Sequence, residues 1–184
     1  MNNSRINLRY ATALYEFAVE RNQVEETYND IQLVASLCSN RDLRLFLQSP
    51  VIFPDKKIKV LDNLLKGNIG DVTHTFISIL VKKRREENLP GIANSFIDIY
   101  REAKNIKVAQ VTSASVLDES LRNQLTDLLK SQTQSEIILE EVVDPGIIGG
   151  LIVKIEGEKF DDSIKRKIVA LKQEFNVNTY IKGY

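Results

Sequence analysis

Tryptophan is absent from these 184 residues, and histidine, cysteine and methionine occur once each. A single histidine, His74, and a single cysteine, Cys38, cannot form a His/Cys metal cluster within one chain. A lone cysteine also excludes an internal disulfide framework, which suits a reducing compartment. No apolar run approaches the roughly 20 residues of a membrane span. Neither charge sign is in excess: Lys+Arg and Asp+Glu both number 25, with 15 basic against 13 acidic residues up to Asn105 and 10 against 12 beyond. Without a basic face there is little drive toward nucleic acid or anionic lipid. What remains, at 43% hydrophobic and 27% charged, is an ordinary globular chain long enough for one domain or two small ones.

The first 105 residues follow a helical period. Val24, Tyr28, Ile31, Ala35 and Cys38 alternate steps of four and three, as do Leu89, Ile92, Phe96, Ile99 and Ala103. Ile6, Tyr10, Ala13, Leu14 and Phe17 mark a first helix, which carries a second row at Ala11, Leu14, Tyr15 and Ala18. Further helices are expected around Leu43–Leu47, Ile58–Leu65 and Phe76–Val81. Ser49-Pro50, Pro54-Asp55, Gly67-Asn68 and Gly70-Asp71 punctuate them, and Asn88 with Pro90 should cap the last. The expectation is a six-helix antiparallel bundle over 1–105.

Beyond Asn105 the period changes. Lys107–Ser113 alternates as a strand, Asp118 or Ser115 begins a helix carrying Leu121, Leu125, Leu128 and Leu129, and Ile137–Val143 returns to strand. The stretch VVDPGIIGGLIVKIEGEKFDDSIKRKIVAL, from Val142, fits neither GxGxxG nor GxxxxGK[ST], so its glycines do not read as a phosphate loop. Asp144-Pro145-Gly146 is turn chemistry, with Gly146 free to take a positive φ. Gly149-Gly150 sits where a strand begins and implies a bulge or a close backbone approach. Glu156–Lys159 forms a second turn leading to Phe160, and Asp162 or Ser163 caps a final helix lined by Ile164, Ile168, Leu171 and Phe175. The fold class is mainly α: a bundle followed by a strand-helix-strand-strand-helix module over 106–184.

No catalytic or metal residues emerge. Cys38 lies on an apolar stripe, His74 near a helix start, and the pairs Glu25-Glu26, Glu86-Glu87, Glu140-Glu141 and Asp161-Asp162 diverge on their elements and read as solvated. Lys82–Arg85 reads as a solvated helix end suited to the dipole. Residues alone thus favour a binding or scaffolding protein, with a helical nucleic-acid-binding or regulatory adaptor as the alternative and a small enzyme poorly supported.

RYATALYEFAVERNQVEE, TFISILVKKRREENLPGI and DPGIIGGLIVKIEGEKFDDSIKRKIVALK, taken together, resemble the delta subunit of F-type ATP synthase, the oligomycin-sensitivity-conferring protein of mitochondria. The chain departs from that pattern at Lys83-Arg84-Arg85, where an NGR-like turn is common, and at Asp162, where glycine is common. The resemblance implies a non-catalytic stator part without cofactor, metal or small-molecule substrate. It implies a groove on helices one and five for the N-terminal helix of an alpha subunit in the F1 head, for which Tyr10, Ala13, Leu14 and Phe17 face Phe76, Ile79, Leu80 and Lys83. The bland alternative makes both rows of helix one core. The module over 106–184 would join the b-type stalk of Fo, so that the head does not co-rotate with the shaft during proton-driven ATP synthesis. The expected place is peripheral, without membrane insertion, on the cytoplasmic (or stromal or matrix) face of an energy-transducing membrane. The start has acidic Glu16 and no apolar h-region, so no signal or transit peptide is evident, which suits a bacterial or organelle-encoded subunit.

Overall fold

The computed structural model describes residues 2–65 and 67–169; Leu171 and Phe175, expected on the last helix, lie outside the described residues. The chain divides into two compact units between Lys104 and Asn105.

The first unit holds six α-helices: α1 (Asn2–Glu20), α2 (Val24–Cys38), α3 (Arg41–Gln48), α4 (Pro54–Leu65), α5 (Asp71–Lys82) and α6 (Leu89–Ala103). Packing centres on α6, which lies against both α1 and α2. Its Leu89, Ile92, Ala93 and Phe96 are at most 1% exposed, and each large one contributes about 1.5–3 kcal/mol by leaving water. Tyr15 of α1 tilts against Phe96, and Tyr28 of α2 stacks on Tyr100 with ring centroids 3.8 Å apart. The core stripe of α6 drifts from Phe96 to Tyr100, leaving Ala103 exposed, because 3.6 residues per turn outruns a strict alternation of three and four.

One helix start differs from expectation, and another falls where expected but is capped from a distance. Asn88 stands at the N-cap of α6 without a side-chain cap hydrogen bond, since the chain enters α6 through a 3-10 turn, Glu86–Asn88, that buries it. Gly70 at the start of α5 has no side chain to cap with, and Asp30 of α2 serves instead, accepting from the Gly70 N–H at 2.8 Å and the Thr73 hydroxyl at 2.7 Å. Glu86 departs furthest from the acidic pairs read as solvated, while Glu141, paired with Arg122, and Asp161, paired with Lys159, are half-buried. Glu86 is buried against Lys57, whose Nζ lies 2.6 Å from Glu86 Oε1 and 2.7 Å from the Leu47 carbonyl oxygen.

The second unit is built on a four-stranded sheet of order β2-β1-β3-β4, from β1 (Ile106–Ser113), β2 (Glu136–Val143), β3 (Leu151–Ile155) and β4 (Glu158–Asp161). β1 and β2 run parallel, joined by α7 (Glu119–Thr133), and the other pairs are antiparallel. Asp118, not Ser115, caps α7, accepting from the Leu121 N–H at 2.6 Å. Of the α7 leucines Leu129 is the buried one, packed with Ala109 and Ile155, while Leu121 and Leu128 face outward. The residues read as a turn leading to Phe160 prove to be a hairpin. Glu156 and Gly157 take positive φ, and Glu158–Asp161 pairs back on β3 as a fourth strand too short to show a period of its own.

Candidate functional site

Helix α1 has two apolar rows with different fates. Ala11, Leu14 and Ala18 are at most 1% exposed and face the core, where the two alanines let a neighbour approach closely around Leu14. Tyr10 and Phe17 are half-buried, Ala13 is exposed, and the Arg21 guanidinium sits 4.9 Å from the Phe17 ring centroid. α5, which α1 touches, repeats the division. Val72, Ile77, Leu80 and Val81 are buried, Phe76 is half-buried, Ile79 is 48% exposed and Lys83 is exposed. Of the eight residues expected in a groove, Leu14 and Leu80 are therefore core and unavailable as surface anchors. Each belongs to the row that the bundle itself consumes. Tyr10, Ala13, Phe17, Phe76, Ile79 and Lys83 remain at or near the surface.

In the second unit the glycine motif closes on the chain's own backbone. The Asp144 carboxylate accepts from the Gly146 N–H at 2.8 Å, and Pro145 opens a 3-10 turn, Pro145–Ile147. Gly146 does not take the expected positive φ, because a 3-10 turn needs the right-handed region; the left-handed conformations fall on Ile148 and Gly150 instead. At Gly150, with φ +79°, a Cβ would lie 2.4 Å from the Asp162 carbonyl oxygen, so this is a close backbone approach. Hydrogen bonds of 2.9 Å from Asp162 N–H to the Leu151 carbonyl and from Ile164 N–H to the Gly149 carbonyl flank it.

Ser163 is the cap of the helix that follows, its buried hydroxyl accepting from the Arg166 N–H at 3.2 Å. Asp162 does not cap; its carboxylate points to solvent and pairs with Lys167 at 2.7 Å. Hydrogen bonds from Ser163 and then Lys159 hold the Asp161 carboxyl well below the usual carboxylate range. The motif's polar groups are thus spent on one another, a structural clasp rather than a ligand cradle.

Chemistry is equally sparse elsewhere. His74 pairs with Asp62 at 2.8 Å on open surface, and burial pushes the Cys38 thiol up to about 11. Among the described residues no group of three or more His, Cys, Asp and Glu is placed to hold a metal ion, and no helix is long and apolar enough to cross a membrane. What this architecture presents to its surroundings is surface, on α1 and α5 and on the sheet.

A family model described as ATP synthase delta (OSCP) subunit matches residues 6–175. The chain belongs to this family. It is 33% identical over 172 residues to the ATP synthase subunit delta of Brevibacillus brevis, covering 93% of this chain and 98% of that one. It is 36% identical over 166 residues to the chloroplastic ATP synthase subunit delta of Emiliania huxleyi, covering 89% and 92%. In fold it is similar to a chain of the Toxoplasma gondii mitochondrial ATP synthase hexamer, with a TM-score of 0.71, 20% identity, and 92% of this chain and 97% of that one covered. As a member of the delta/OSCP family it is a stator component of ATP synthase and not an enzyme, which sets aside the nucleic-acid or regulatory adaptor alternative.

Sequence reasoning missed Asp30, the Lys57–Glu86 pair and the outward placement of Val51 and Phe53. The paired prolines at Pro50 and Pro54 were the only local signal of the last, and nothing local marks the first two.

Proposed function

We propose that the bundle, residues 1–105, holds the F1 head by receiving the N-terminal helix of an alpha subunit on α1 and α5, while the module over 106–184 joins the b-type stalk. The single observation that carries the first half is the doubled row. Both helices satisfy the core with one apolar row and still offer a second, Tyr10, Ala13 and Phe17 beside Phe76 and Ile79, at the three- and four-residue steps by which a partner helix is gripped. Torque on the head from the turning shaft must be met by attachment that dissociates slowly, and a few such anchors supply most of the energy of a tight complex.

The second half has its support in the sheet. The strand register puts Val108, Ile138, Thr112, Val142 and Ile152 on the face opposite the one that buries Leu129, and Ile138 and Val142 are exposed there. Gln110, Glu140 and Lys154 share that face between the two apolar groups, so it offers an amphipathic stalk helix both apolar and charged contacts. The protein would then sit on the cytoplasmic, stromal or matrix side of the membrane, carried by its partners.

Titrating the full-length chain with a peptide of the alpha-subunit N-terminal helix tests the groove. Ile79→Asp should leave the melting curve in place and weaken binding tenfold or more, about 1.4 kcal/mol. Unchanged binding would put the surface elsewhere.

A further inference from the structure

Charge along α1 runs against its own helix dipole. A helix favours acids in its first turn and bases in its last, yet the first turn of α1 has no acid and its last turn no base. Arg5, Arg9, Ala13, Glu16 and Glu20 follow one another at steps of four and three on its exposed side, so the sign of the charge reverses at Ala13. That line passes through the surface row described above. None of the four charges has an ion-pair partner among the described residues, so the order does nothing for α1 itself.

The neighbouring wall, α5, repeats the order because the two helices run in opposite directions. Asn7 of α1 packs against Gly91 in the first turn of α6, its side chain filling the place a Cβ would take, so the turn joining α5 to α6 stands at the start of α1. At the other end Glu26 and Asp30, in α2 just after α1, lie against Gly70 at the start of α5. Lys82, Lys83, Arg84 and Arg85 therefore share one end of the α1–α5 surface with Arg5 and Arg9, and all six are exposed without an ion pair among the described residues. Glu86 of that turn is committed to Lys57, which leaves Glu87 as its exposed acid. The opposite end holds Glu16, Glu20 and Asp71, all exposed, while Arg21 there is drawn over the Phe17 ring.

We infer that this surface selects the direction of its partner helix by charge: the helix lies parallel to α1, with acids of its first turns against Arg5, Arg9 and the end of α5, and bases of its last turns against Glu16, Glu20 and Asp71. This rests on the reading above that α1 and α5 receive a helix of the head, and it adds the polarity and the charge order of that helix. Apolar anchors at steps of three and four grip a helix laid in either direction, so they cannot choose one. The charges can, because the reversed helix would set its bases against six cations. Acids first and bases last is also the order that the partner's own dipole favours. Exposed pairs are individually weak, so they decide orientation while the apolar anchors supply most of the affinity.

The test is NMR of the full-length chain with a peptide of the alpha-subunit N-terminal helix that carries a nitroxide at one end or the other. A label on the first residue of the peptide should broaden the amides of Arg5 and Lys83 and spare those of Glu20 and Asp71, and a label on its last residue should do the reverse. The opposite pattern, or broadening of both ends by each label, overturns this inference and leaves the α1–α5 reading intact. A peptide that fails to bind, or that broadens neither end, overturns both. In titrations Arg5→Glu/Arg9→Glu should weaken binding tenfold or more at an ionic strength of about 0.02 M and far less at about 0.5 M, where exposed charges are screened. Its melting temperature should hold or rise, since acids suit the first turns of α1, so that weaker binding is not loss of fold. Unchanged binding by this variant at low salt also overturns the inference.

Discussion

The carboxylate of Asp30, on α2, receives the hydroxyl of Thr73, in the first turn of α5, at 2.7 Å. The same oxygen accepts from the Gly70 N–H, so the positive end of α5 is capped by a residue 40 positions earlier. Asp30 is 7% exposed and Thr73 is fully buried, so water cannot readily replace the carboxylate.

Asp30→Ala should therefore cost about 2 kcal/mol, the sum of a lost cap and two orphaned donors, and Asp30→Asn less because one acceptor survives. Urea unfolding followed by circular dichroism checks this. Equal midpoints for Asp30→Ala and the unaltered chain would show that α5 starts without help.

Gly150 is a steric requirement of the second unit. A Cβ there meets backbone at Asp162 and Ser163, which cannot swing aside as a flexible side chain would, and the φ of +79° disfavours any L side chain. Gly150→Asp should cost several kcal/mol, about 1–3 of it from backbone strain alone, and abolish protection of the β3 amides in hydrogen exchange. The amides of α6 should keep theirs. An unchanged melting curve would sink the idea.

Arg84 offers the reverse experiment. The N–H groups of Arg84 and Arg85 bond back to the carbonyls of Val81 and Leu80, ending α5 in a Schellman turn with Arg84 at φ 55° in the place that favours glycine. Arg84 is the middle residue of the Lys83-Arg84-Arg85 turn. Arg84→Gly should raise stability by about 1 kcal/mol, relief of left-handed strain less the entropy of an added glycine. A lowered melting temperature would mean that the Arg84 side chain contributes more than its backbone costs.

Stability should fall at both ends of the pH scale, for opposite reasons. Hydrogen bonds from Lys104 and Tyr100 lower the Glu25 pKa, Arg122 lowers that of Glu141, and Ser163 with Lys159 lowers that of Asp161. The unfolded chain then takes up protons first as pH falls. Their contribution is complete above the ordinary carboxylate range near 4 and is lost as pH drops through the lowered values. Burial raises Cys38 from 9.0 to about 11, and burial with the Glu25 hydrogen bond raises Tyr100 from 10.0 to about 12. The folded state keeps these protons longer, so stability is full below pH 9 and declines as pH climbs toward 11 and 12. Melting temperatures from pH 2 to 11 test both limbs, and Cys38→Ala should flatten the slope between 9 and 11.

Residues 1–105 disclosed their helices because each is a local repeat, apolar every three or four residues and bounded by proline, glycine or asparagine. The strands β1 and β2 showed by the same means at a period of two, and the collinear motifs from RYA to DPGIIGG carried the family. Such signals need only near neighbours along the chain, so the sequence by itself determined them. Tertiary structure decided the rest. Which of two rows on α1 becomes core depends on where α6 and α5 lie, so Leu14 and Ala13 part company although both are apolar and adjacent. Glu86 and Glu87 are alike until Lys57, 29 positions earlier, arrives beside one of them. Asp30 becomes a cap only when a distant segment supplies the donors it satisfies, and Glu158–Asp161 becomes a strand only when it folds back on β3. Burial and pairing are properties of what the folded chain brings together, and no periodicity within a segment records them.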